Sequence, residues 1–283
     1  MVTGLGQTNS WDGLAEDAWN RAENEFSDVS VGNGLCSITF LTVSSDGTSV
    51  TNVGVIGEDG KFNLNTILET EESKAVLRAL IESKGELESR AAEMLVAAIE
   101  DWIDDNDEML TGGAESGYYA SQSPSYRCAN GQMRSISELR MIKGVSRELF
   151  ARLVPYVTVY GAGHVNMNCA PEPVIAALAQ AYASGTVDAD VCESLAEKIG
   201  EFRRSGGGFR TDDDIRNPPE ELGLTGVERG LLRRMASGLE ISSTAFRGIS
   251  SGTVGVGDRS EMSVEFVFDT RNDGAFVYWH EFQ

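Results

Sequence analysis

The sequence predicts an α+β protein: one antiparallel sheet assembled from both ends of the chain, with a large all-helical block inserted between them. Three observations carry this. β-Branched and aromatic runs fill CSITFLTVSS (Cys36 to Ser45) and SVTNVGVIG (Ser49 to Gly57). Similar runs return at the end of the chain, in STAFRGISSGTV, SEMSVEFVFDT and GAFVYWHEF. Between them the apolar period changes from two to three and four. Two N-terminal strands alone would be marginal, so pairing with the C-terminal strands is expected. Residues 1–65 and 241–283 are therefore read as the sheet body, and residues 66–240 as an inserted helical domain.

The elements follow in order. WDGLAEDAWNRAENEF reads as a short helix, with Trp11, Leu14, Trp19 and Phe26 only loosely aligned on one face. SSDGT is a hairpin signal between the first two strands. In ELESRAAEMLVAAIEDWI, Leu87, Ala91, Met94, Leu95, Ala98, Ile99 and Trp102 define one buried stripe. Ser135 with Glu138, Thr211 with Asp214, and Thr225 with Glu228 fit the Ser/Thr-x-x-acid pattern of a helix start. Pro171 and Pro173 suit the first turn of PEPVIAALAQAYA. VGVGDR and RNDG then turn the chain between the last strands. There is no low-complexity segment and no long sequence repeat. One weak internal similarity links SISELRMIKGVSRELFARL to FRTDDDIRNPPEELGLTGVERGLLRRM: helix, glycine turn, helix.

Composition bounds the function. The chain has 283 residues, a formal net charge of -21 and a pI near 4.4. Such a surface repels phosphate backbones, so no nucleic-acid partner is expected and the two helix–glycine–helix segments read as structural pairs. No apolar run reaches the ~18–20 residues of a membrane span, and MVTGLGQTNSWDG does not read as a signal peptide. Cys36, Cys128, Cys169 and Cys192 form no CxxC pair. They allow up to two disulfides in any of three pairings, with a lean to Cys169–Cys192 within the helical block. His164 and His280 are the only histidines, and no GxSxG motif accompanies them, so no catalytic residue is assigned. Gly206, Gly207 and Gly208 lack the Gly-Lys-Ser/Thr of a phosphate loop. Asn63, Asn65, Asn166 and Asn168 form two Asn-x-Asn pairs ahead of helical stretches, which suits local capping and turn roles.

DWIDDNDEMLTGGAESGYY (Asp101 to Tyr119) holds six carboxylates and no Lys or Arg. Acidic groups at a helix C-terminus oppose the macrodipole, and a cation would reverse that penalty. Counted from Asp104, the oxygen-bearing Asn106, Glu108 and Glu115 fall at places three, five and twelve, as in an EF-hand. Met109 stands at the sixth place, where an EF-hand needs Gly, so this is not that motif.

Several stretches together resemble the K-type minor pseudopilins of type II secretion systems, the general secretion pathway protein K family. They are WDGLAEDAW, EDGKFNLNT, DWIDDNDEMLTGGAESGYY, SISELRMIKGVSRELFARLVPYVTVYG, HVNMNCAPEPVIAAL and the closing FRGISSG, FVFDT and FVYWHEF. They run in family order over nearly the whole chain. Cys169 stands where the family often has Thr, and Asn106 where Asp is common. The resemblance implies a pilin-like sheet body with an N-terminal helix remnant and a helical insertion. It also implies a periplasmic part whose inner-membrane helix lies outside this sequence. The implied function is assembly rather than catalysis: capping or priming the pseudopilus tip with I-type and J-type minor pseudopilins, with exported proteins as further contacts. It adds calcium as the expected ion, with Asp104, Asp107 and Glu115 as expected ligands and Asp105 and Asn106 as alternates. The alternatives are a helix-hairpin-helix nucleic-acid binder and a calcium-stabilised secreted hydrolase.

Overall fold

In a computed structural model, the described residues are 26–43, 49–183, 185–254, 260–272 and 275–282. The N-terminal helical segment, apart from Phe26, and the SSDGT turn lie outside them, as does most of VGVGDR. Strands β1 (Val29–Val31), β2 (Gly34–Val43), β3 (Ser49–Val53) and β4 (Ile56–Gly57) come from the first part of the chain. β9 (Ala245–Val254), β10 (Ser260–Asp269) and β11 (Ala275–Phe282) come from the last. The sheet runs β1-β2-β9-β10-β11, with β3 on β2 and β4 on β9. Every pairing in it is antiparallel. The two ends of the chain thus complete one sheet, as the lone-hairpin argument requires.

Alternation along β9 and β10 gives the sheet two different faces. Phe246 and Phe266 point one way and gather Val55, with Ile38 and Phe268 packed against them. Ala245 and Val267 point the other way and join the large core of the helical region. Tyr278 also packs there, its ring 6.0 Å from that of Tyr160.

The helical region is built from two equivalent halves. The first contains β5 (Phe62–Asn63), helices α1 (Glu71–Ser83), α2 (Ser89–Ile103), α3 (Ser116–Ala120) and α4 (Arg147–Leu153), and β6 (Val157–Thr158). The second contains β7 (Val165–Asn166), helices α5 (Glu172–Ala183), α6 (Ala189–Arg204), α7 (Asp212–Arg216) and α8 (Gly226–Met235), and β8 (Leu239–Glu240). In each half the first and last strands pair in parallel.

An asparagine locks each half. Asn65 donates to the carbonyls of Met133 (3.0 Å) and Val159 (3.2 Å) and accepts from the Met133 amide (2.8 Å). Asn168 donates to the carbonyls of Phe209 (2.9 Å) and Ile241 (3.0 Å) and accepts from the Phe209 amide (2.8 Å). Met133 and Phe209 each stand two residues before a helix cap, Ser135 and Thr211. Val159 and Ile241 each follow the parallel strand. Asn63 and Asn166 accept from the Asn65 and Asn168 amides in matching turns. The buried stripe Ala92, Leu95, Val96, Ile99 of α2 is matched by Cys192, Leu195, Ala196, Ile199 of α6. The weak similarity between the two helix–glycine–helix segments is therefore one part of a structural repeat. Glycines at positive φ, Gly144 and Gly223, turn the chain at the same place in both.

The halves differ at one join. Residues 104–134 connect α2 to the capped turn at Ser135, where residues 205–210 suffice in the second half. None of the four cysteines forms a disulfide, which corrects the expected Cys169–Cys192 bridge. Cys192 is buried on the inner face of α6. Cys169 instead turns toward the sheet junction, with Sγ 3.7 Å from Ser243 Oγ.

The seam between sheet and helices is polar. Glu58, fully buried, accepts from Arg247 through both oxygens (2.8 Å each) and from Thr158 (2.8 Å). Burial alone would raise its carboxyl, but Lys61 and Arg247 overcome this and hold it at about 2. Asp59 takes the backbone amides of Ala162, Thr244 and Ala245. One carboxylate thereby ties the entry into the helical region, the link between its halves and the return to the sheet.

Candidate metal centre

The long join of the first half folds back on the end of α2. Asp101 lies in the last turn of α2 and Asp104 caps it, while Glu115 caps the start of α3. Spacing of three on a helix sets Asp101 and Asp104 on one face. One carboxylate oxygen from each of Asp101, Asp104 and Glu115 lies within 4.8 Å of the others. Asp101 and Glu115 are buried.

The surrounding bonds leave these oxygens unequal. The Leu110 amide donates to both oxygens of Asp101 (3.1 and 3.3 Å). Burial raises the Asp101 carboxyl, and the Leu110 and Ala114 amides oppose the rise. Glu115 has neither oxygen hydrogen-bonded. Its burial, then the charges of Asp101, Asp104 and Asp107, push its carboxyl up to about 7. A buried carboxylate without donors, facing two others, is the environment that a hard cation relieves. Gly113 makes the approach possible: a Cβ there would collide with the Asp101 carboxylate.

The rest of the loop is pinned independently. Asn106 accepts from the Glu108 amide (2.6 Å) and donates its own amide to Asp104 (3.2 Å). Asn130 donates to the Asn106 carbonyl (2.9 Å). The Lys143 amine donates to the carbonyls of Gly112 (3.2 Å) and Gly113 (2.8 Å) and lies 5.2 Å from the Tyr118 ring centre. Behind the site, Trp102 and Tyr119 are buried with rings edge to face, and the Trp102 indole donates to Glu138.

Of the residues singled out from sequence, Asp104 and Glu115 meet. Asp107 adds its charge to Glu115 while hydrogen bonds from Ser116 and Asn130 lower its own carboxyl. Asp105 and Asn106 face solvent on the turn. Asp101 was not singled out as a ligand, yet its place one helical turn before Asp104 was the available signal. The second half offers no counterpart, because Arg204 stands where Asp104 does. His164 Nδ1 lies 3.9 Å from Glu240 Oε1, and His280 is exposed on β11.

Residues 60–162 match the family model "Type II secretion system (T2SS), protein K". The type II secretion system protein K of Pectobacterium carotovorum subsp. carotovorum is 37% identical over 124 residues, 44% of this chain and 37% of that protein. The Klebsiella pneumoniae protein is 38% identical over 115 residues, 38% of this chain and 35% of its own length. The chain is similar to the type II secretion system protein K family over this central part of its length. The chain spans a little over a third of either relative's length, and the family-model match includes the whole acidic loop. A chain in the crystal structure of the GspK-GspI-GspJ complex from enterotoxigenic Escherichia coli shares the fold. Its TM-score is 0.69, with 17% identity, over 97% of this chain and 88% of that one. Neither the nucleic-acid nor the hydrolase alternative finds support in these likenesses. Among the described residues, no helix is long and apolar enough to cross a membrane.

Proposed function

We propose that this chain acts in assembly, as a minor pseudopilin at the tip of a type II secretion pseudopilus, beside I-type and J-type partners. One observation carries the reading: a helical domain of two repeats is mounted rigidly on a pilin-type sheet through Glu58, Asp59 and Arg247. A subunit carrying such a bulk on its sheet leaves no room for another subunit stacked above it, so it ends or primes a filament. The likeness to a chain of a solved GspK-GspI-GspJ complex supports the partner choice. The corresponding site of action is the periplasmic side of the inner membrane. Size-exclusion chromatography of the chain with the soluble I-type and J-type domains tests this. A co-eluting complex is expected, and separate elution at micromolar concentrations would overturn it.

The acidic centre is read as a calcium site that stiffens the long join of the first repeat. Asp101, Asp104 and Glu115 would hold the ion, and Asp107 would add charge nearby. The two donor-free oxygens of Glu115 support this. Calcium in excess should raise the melting temperature and chelator should lower it, because an ion bound to the folded chain stabilises by mass action. A melting curve that is the same in both buffers would sink the reading.

A further inference from the structure

The turn at Thr111 to Gly113 carries a second feature, separate from the carboxylates beneath it. Four large apolar side chains stand exposed around it: Met94 (42%), Met109 (64%), Leu110 (37%) and Met141 (41%). Three of them are tied to the turn, and Met109 adjoins Leu110 in the chain. A Cβ on Gly112 would fall on the Met94 side chain. Leu110 is held to α2 by its amide bond to Asp101. Met141 lies two residues from Lys143, whose amine grips the Gly112 and Gly113 carbonyls. These bonds hold the patch in place without an ion. Methionine adapts to varied partners, and an exposed apolar cluster on a folded surface marks a contact site.

The occupant follows from the charge around it. The exposed carboxylates beside Met109 and Leu110 are Asp105, Asp107 and Glu108; Glu93 and Glu100 of α2 are already paired with Arg78 and Lys74, and the Lys143 amine is taken up by the Gly112 and Gly113 carbonyls. A neutral or acidic apolar segment would be repelled or unpaired at the rim, whereas a cationic one is drawn in. We propose that this methionine-rich patch docks a cationic amphipathic segment of a partner protein, its apolar side chains on Met94, Met109, Leu110 and Met141 and its Lys or Arg side chains on the acidic rim.

Three short labelled peptides test this by fluorescence anisotropy in calcium-containing buffer: one with Lys and Leu at helical spacing, one with Glu in place of Lys, and one with Ser in place of Leu. The Lys/Leu peptide is expected to bind. The combined Met109→Ser and Leu110→Ser variant should weaken it about tenfold with an unchanged melting temperature, since both side chains are exposed. Val227→Ser, at an exposed apolar residue on α8, should leave it unchanged. Equal binding of the Lys/Ser peptide, or equal binding by the double variant, would overturn the proposal. No binding of the Lys/Leu peptide would do the same.

Discussion

Glu115 illustrates how one side chain can make folding depend on solution conditions. Its carboxyl is shifted upward from 4.5 to about 7, so the folded chain holds a proton there that the unfolded chain has released. Without a cation, stability should therefore fall as pH rises from about 4.5 to about 7, by roughly 3 kcal/mol. Glu115→Gln should flatten that slope in chelator, and calcium should offset it in the parent chain. Urea melts at several pH values read both effects. Asn168 makes a different kind of contribution. Asn168→Ala leaves the Phe209 amide and two carbonyls without partners, and about 3 kcal/mol should be lost. The sequence indicated that the Asn pairs serve local turns, and Asn63 and Asn166 do so. It could not indicate the far partners of Asn65 and Asn168, because those depend on which loops the fold brings alongside. Asp101 was visible as an acid, but its closeness to Glu115 depends on how the intervening loop turns back.

At the scale of elements, the helix starts were the most legible feature, since capping is chemistry between residues three apart. Ser135 and Thr225 accept from backbone amides of the first turn, while Glu138, Asp214 and Glu228 reach back to the amides of Ser135, Thr211 and Thr225. Glu228 also pairs with Lys198 of α6. Burial would raise its carboxyl, but Lys198 and Thr225 bring it to about 2. Its contribution is present above its unfolded value near 4.5 and is lost as pH falls through about 2. Thr225→Ala should cost about 1 kcal/mol, and Glu228→Gln more, as measured by chemical denaturation. The repeat was barely legible. Its halves share cadence and a few anchor residues, and the long join in the first half hides the register between them.

The whole molecule depends on a seam that sequence patterns do not reveal. Period and β-branching separate sheet from helices, but they do not predict that Arg247 of β9 reaches Glu58 across 189 residues of chain. Arg247→Ala would strand a buried carboxylate and should destabilise the protein by about 3–5 kcal/mol, lowering the melting temperature of sheet and helices together. Arg247→Lys should recover only part of this, because a lysine cannot bond both Glu58 oxygens in the same plane.

The pairing of β2 with β9 also sets the order in which the chain can fold. Ile38 lies opposite Ser250, with the entire helical region between them. Closing so long a loop of unfolded chain is slow. Once the two repeats have formed, Gly57 and Phe246 lie side by side, and the remaining closure is short. The helical region is then a prerequisite for the sheet. During synthesis, β1 to β3 must wait, with their edges open, until nearly two hundred residues have emerged and folded. A defect deep in a helix would first be seen as an unpaired, aggregation-prone strand at the other end of the protein.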